Sequence, residues 1–262
     1  VTDRPPEEPR GERFRPSAAP DAPLDVDFGD AWTYESIVGA LPGLDLRGAP
    51  AVAVQIGLFE LLVLGLGWYY GLGTAMVAGT VAVVVAGAGS VLLLRLSQRL
   101  RAIGLPAVYA RVLFGSNIEV VLGLLAFIGL VTYLFVYDPG AAADPLLTTL
   151  FGSEPPVAVV YVSLLVLWDV CYRIGTGWWT AVVTCWAAIR LPTGPGFGAE
   201  LRRVSLWNVG FAALQLGLVP FVWGRDLLVV AIVGHVAAVV VVSAITLLAV
   251  RRHGRSRERR TT

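Results

Sequence analysis

Between residues 49 and 250 the chain alternates long apolar runs with short connections, and nearly all of its charges lie in the connections. A bilayer's hydrocarbon core is about 30 Å thick and is crossed by about 20 helical residues rising about 1.5 Å each. Each run therefore predicts a transmembrane helix, and six spans follow: roughly 50–70, 74–94, 117–137, 157–190, 204–223 and 227–250. The predicted fold class is all-α, a polytopic transmembrane helix bundle occupying residues 49–250. Span 1 closes with Trp68-Tyr69-Tyr70 and span 5 with Trp223, where an interfacial aromatic belt belongs. In span 2, Ala78, Ala82, Ala86 and Ser90 recur every fourth position beside Gly79, Gly87 and Gly89, a face on which another backbone can approach closely. A short helix is expected after Pro106.

Outside the spans the pattern changes. Residues 1–28 are rich in Pro, Arg and acidic residues and predict a disordered N-terminal tail. Within 29–48, Tyr34, Ile37, Val38 and Leu41 fall at i, i+3, i+4 and i+7 before Pro42-Gly43. That spacing predicts a short helix, lying in the membrane interface or packed on the adjoining loops. Residues 251–262 read as a basic, disordered cytoplasmic tail.

Charge adds an orientation. The connections after spans 2 and 4 and the C-terminal tail carry Arg95, Arg99, Arg101, Arg111, Arg190, Arg202, Arg203, Arg251, Arg252, Arg255, Arg257, Arg259 and Arg260, thirteen in all. The opposite side carries only Arg225. This excess predicts that both termini are cytoplasmic and that the number of spans is even. The same count makes 157–190 one long helix, straight, kinked or broken at Gly175–Gly177, since splitting it would move Arg202 and Arg203 across the membrane. The 56% hydrophobic and 15% charged composition agrees with a multi-pass membrane location. Net charge is +1 and no lysine occurs, so nothing suggests nucleic acid, and P-loop or Schiff-base lysine chemistry is excluded. The partners expected are the bilayer, anionic headgroups at the cytoplasmic arginines, and a homo-oligomer as one option.

Candidate chemistry is confined to polar residues inside the spans. Asp169 and Arg173 stand four apart, acid first, the favourable order for an intrahelical ion pair. Each charge costs about 2.5–3.5 kcal/mol at the bilayer centre, so such a pair is either a functional site or a structural lock on span 4, with Arg173 reaching towards the interface. Glu60 lies halfway along span 1, as a second acidic partner for Arg173 or part of a polar path. His235 suits a proton relay or, more simply, a ring bonded to a carbonyl. Asn208 and Gln215 share one face of span 5 as interhelical hydrogen-bond donors and acceptors, and Glu119 reads as a helix N-terminal acid. Two cysteines, Cys171 and Cys185, and two histidines give no metal-ligand spacing, and no cofactor motif or catalytic signature appears.

The segments WDVCYRIGTGWW and TYESIVGALPGLD resemble a family of uncharacterised multi-spanning membrane proteins of halophilic archaea. The resemblance implies an archaeal cell-membrane protein and brings no activity with it. Taken together, the residues point first to a non-enzymatic scaffold or accessory subunit whose intramembrane ion pair is structural. The alternative is a small secondary transporter or channel-like protein with a polar path around Asp169, Arg173 and Glu60. A lipid-phosphate enzyme would need several cytoplasmic arginines gathered in one cleft.

Overall fold

The computed structural model describes residues 48–102, 106–191 and 194–261. The tail expected at 1–28 and the short helix expected at 29–48 (except Gly48 itself) lie outside these residues. The described chain is helical, without a strand: α1 (Ala49–Tyr69), α2 (Gly73–Ala102), α3 (Ala107–Phe114), α4 (Ile118–Thr132), α5 (Asp138–Ala141), α6 (Leu146–Phe151), α7 (Val157–Arg190), α8 (Pro195–Gln215) and α9 (Asp226–Thr261). Six stretches are long and apolar enough to cross a membrane. Leu61, Leu125, Val136 and Val230 are all more than 60% exposed, a surface that only an apolar solvent tolerates.

Helix α7 is the axis of the bundle. It packs against α1, α2, α3, α4, α8 and α9, and 44% of its most apolar window is buried against 11% for α9. Its 34 residues form one unbroken helix through Gly175–Gly177, which settles the break left open by the sequence. The two glycines serve packing instead. A Cβ on Gly175 would stand 2.6 Å from the Gly123 nitrogen, so α4 and α7 cross with their backbones in contact. The small-residue face of α2 is likewise used within the chain: Gly79 meets Val63, Gly87 meets Ile56, and Gly89 meets Phe211 and the Arg173 Cβ.

Three boundaries differ from the sequence reading. The fifth span starts at Pro195, not near 204, so Arg202 and Arg203 ride on α8 rather than in a loop. Proline at the first turn of a helix loses no bond, and arginine is a good helix former. Helix α2 continues to Ala102 past the expected end of span 2. Helix α9 continues to Thr261, through the stretch expected to be a disordered tail, since a helix already formed extends readily into arginines. The expected helix after Pro106 is α3, whose Tyr109, Leu113 and Phe114 join Leu93, Leu96, Val183, Ala187, Leu201 and Val204 in a core at the Arg-rich end.

The opposite end is built from irregular turns. After α4, Tyr133–Tyr137 form a π turn in which the Asp138 N–H bonds the Tyr133 carbonyl. Pro139 follows, and a proline would crowd the carbonyl four residues back, which a widened turn relieves. After α8 the chain tightens to a 3-10 helix, Leu216–Val222, containing Pro220. Gly224, at φ +82°, then makes the left-handed turn that presents Arg225 before α9. Trp68, Tyr69, Tyr137, Tyr161 and Trp223 are exposed at this end, as an interfacial belt requires.

Candidate functional site

The polar residues of α7 fall on its buried side. Asp169, Arg173, Thr176, Thr180 and Thr184 follow each other at three- or four-residue steps, and all are buried. The Arg173 Nη2 donates to Asp169 Oδ1 at 3.1 Å, and the two side chains are 1% and 5% exposed. Gly89 of α2 leaves the space that the Arg173 stem fills, and the guanidinium carbon sits 5.3 Å from the centre of the Tyr172 ring. The carboxylate of Glu119, in the first turn of α4, is buried beside this group, within electrostatic reach of Tyr172 together with Asp169 and Arg173. Its Oε2 has no hydrogen-bond partner among the described residues. Further along α7, the Asn208 Nδ2 donates to the Gly177 carbonyl at 2.7 Å, Thr176 bonds the Tyr172 carbonyl, and the Tyr109 and Thr184 hydroxyls pair at 3.2 Å. Asn208 therefore joins α8 to α7, as expected of an intramembrane amide.

The other two candidates stand elsewhere. Glu60 accepts a 2.8 Å hydrogen bond from the Thr80 hydroxyl, which joins α1 to α2. His235 meets the Trp178 ring at 6.2 Å, and its nitrogens have no hydrogen-bond partner among the described residues, so the expected carbonyl bond is not formed there. His235 instead lines a cavity of about 610 Å³ in the Arg-poor half of the bundle, together with Gln215 and aliphatic residues of α1, α2, α4, α6, α7 and α9. Asp169, Arg173, Glu60 and Asn208 do not line it. Between Thr180 and Asn208 there is space of only about 10 Å³. Among the described residues no three His, Cys, Asp or Glu side chains lie together as metal ligands.

A second ion pair was not anticipated. Asp138, 1% exposed, lies 3.1 Å from Arg225 Nε and accepts the Leu146 N–H at 2.5 Å. The Tyr133 hydroxyl approaches the same carboxylate at 3.5 Å, and Arg225 also donates to the Asp144 carbonyl. These contacts pin the loop holding α6 to the turn before α9. The signal was in the arginine count: the lone arginine on a side holding Asp138, Asp144 and Glu154 has acids for neighbours. At the other end Arg203 bonds Glu200 at 2.9 Å, while Arg99 lies 3.9 Å from Glu200 and 5.0 Å over the Trp207 ring. Arg95, Arg111 and Arg190 are exposed, and none of the cavities above has an arginine in its wall.

No curated protein and no solved structure matches the chain. A family model matches residues 27–246, most of its length, and the chain thus belongs to a family of unknown function, DUF7530.

Proposed function

We propose that this is a multi-pass cell-membrane protein whose Arg-rich end faces the cytoplasm, and that it acts as a non-catalytic scaffold or accessory subunit. Its Asp169–Arg173 pair is structural in this reading. One observation carries it: the pair is almost wholly buried, fills space left by Gly89, and stands outside the wall of the large cavity. The exposed arginines at that end meet anionic headgroups, and the exposed apolar flanks leave room for a second copy. Buried pairs of this kind compensate each other, and removing one partner strands the other charge at a cost of about 3–5 kcal/mol. The test is unfolding of Asp169→Asn, Arg173→Gln and the double variant in detergent. Each single change should destabilise by that amount and the double should recover most of it. Singles as stable as wild type would remove the structural role.

The second reading, a small secondary transporter with a polar path around Asp169, Arg173 and Glu60, draws on the threonine line that continues from the pair along α7 and on the unpartnered Glu119 oxygen. Cysteines placed at 176 and 180 distinguish the two. Rapid reaction with a small water-borne thiol reagent supports a path, and protection supports the scaffold.

A further inference from the structure

The large cavity suggests a ligand of its own. We propose that it binds a neutral lipophile, an apolar body bearing a carbonyl or hydroxyl head group, entering from the membrane half at the Arg-poor end. At about 610 Å³ the space falls within the range of about 300–1,000 Å³ typical of small-molecule sites. Its wall is aliphatic, with Val63, Leu66, Leu125, Val166 and Ile232 contributing, and no Asp, Glu or Arg lines it. A charged ligand would find no counter-charge there, whereas a hydrocarbon body is at home.

The wall has polar points as well. Gln215, 2% exposed, faces this space and has no hydrogen-bond partner among the described residues. A buried amide without a partner is costly, and such groups in native proteins call for a bound molecule or a role. An amide both donates and accepts, so it satisfies a carbonyl or a hydroxyl equally. The imidazole of His235, on the same wall and also without a hydrogen-bond partner, offers a second donor or acceptor. The cavity's outer end is closed by α6, whose Leu146, Leu147, Leu150 and Phe151 face into it. That roof is held by the Leu146 N–H on Asp138 and by Arg225 on the Asp144 carbonyl. Even the latch reaches the site, because Tyr133 lines the cavity and points its hydroxyl at Asp138.

The site stands apart from Asp169 and Arg173, so its test does not depend on the role of that pair. The experiment uses the full chain in nanodiscs with three probes: 1-dodecanol, a decyl-benzoquinone, and dodecane as the matched hydrocarbon. Gly129 lines the cavity and a Cβ there meets no atom within 4 Å, so a side chain can start from it, and Gly129→Phe brings a ring to the cavity wall. We expect saturable binding of the alcohol or the quinone. Gln215→Leu should weaken it about tenfold, the worth of one hydrogen bond, and leave dodecane binding unchanged. Gly129→Phe should abolish binding of all three at unaltered thermal stability. His235→Leu gives a second reading of head-group recognition should Gln215→Leu fold poorly. Absence of saturable binding by both polar probes overturns the proposal, as does binding that survives Gly129→Phe or is indifferent to both polar substitutions.

Discussion

Two buried ion pairs among the described residues do opposite work. Asp169–Arg173 joins neighbours on one helix, and its geometry exists as soon as α7 is helical. Asp138–Arg225 joins the end of the third span to the turn before the sixth, and it exists only once those parts of the bundle have met. The first is a local pair that neutralises a charge so that α7 can lie at the centre. The second is a clasp, and the loop between Asp138 and α7 depends on it. Burial alone does not separate them, since both carboxylates are almost completely buried. Sequence separation does.

Substitutions can pull this contrast apart, and the largest effect is steric. Gly175→Val pushes a branched side chain into the backbone of α4, and among the described residues α7 is the long helix against which α4 chiefly packs, so loss of the α4–α7 crossing should lower stability by more than either charge change. Arg173→Gln comes next, at the cost of about 3–5 kcal/mol given for a broken buried pair. Arg225→Gln should cost less, about 2–3 kcal/mol, because the arginine is 18% exposed and Asp138 keeps the Leu146 N–H. Its sharper signature is local: limited proteolysis should cut within 142–156 faster in Arg225→Gln, but not in Arg173→Gln below its unfolding transition. Equal cutting in both would mean that the two pairs do the same work. The smallest change is Thr80→Val, which removes one hydrogen bond to Glu60 and should cost about 1 kcal/mol by thermal unfolding.

What the sequence made legible was whatever depends on neighbours or on side. Hydropathy marks the apolar runs, the arginine count keeps 157–190 whole and so makes the spans six, and a spacing of four exposes Asp169 and Arg173. Asn208 was legible as an interhelical bond without its acceptor, because a carbonyl in the middle of another helix leaves no trace in composition. Asp138–Arg225 was hidden for the same reason. Counting charges assigns them to a side of the membrane and says nothing of which ones touch. The boundaries failed where hydropathy and helix formation diverge: Arg202, Arg203 and the arginines after 250 end an apolar run without ending a helix. Gln215 read as interhelical glue from the face it shares with Asn208, and His235 as a proton relay or a ring bonded to a carbonyl. Only the assembled bundle shows that both face empty space instead.

The backbone contact at Gly123 and Gly175 has a mechanical meaning. With no side chain between them, the two helices touch at a hard point that neither can compress. Helix α7 extends well beyond that point in both directions, with Val166 and Val170 bordering the cavity on one arm and Ala187 and Ala188 packed in the core beneath α3 on the other. A rigid rod resting on a fulcrum moves its two ends in opposite senses. A tilt of α7 about that point would therefore carry Val166 and Val170 one way and Ala187 and Ala188 the other, at about 1.5 Å of helix per residue between them.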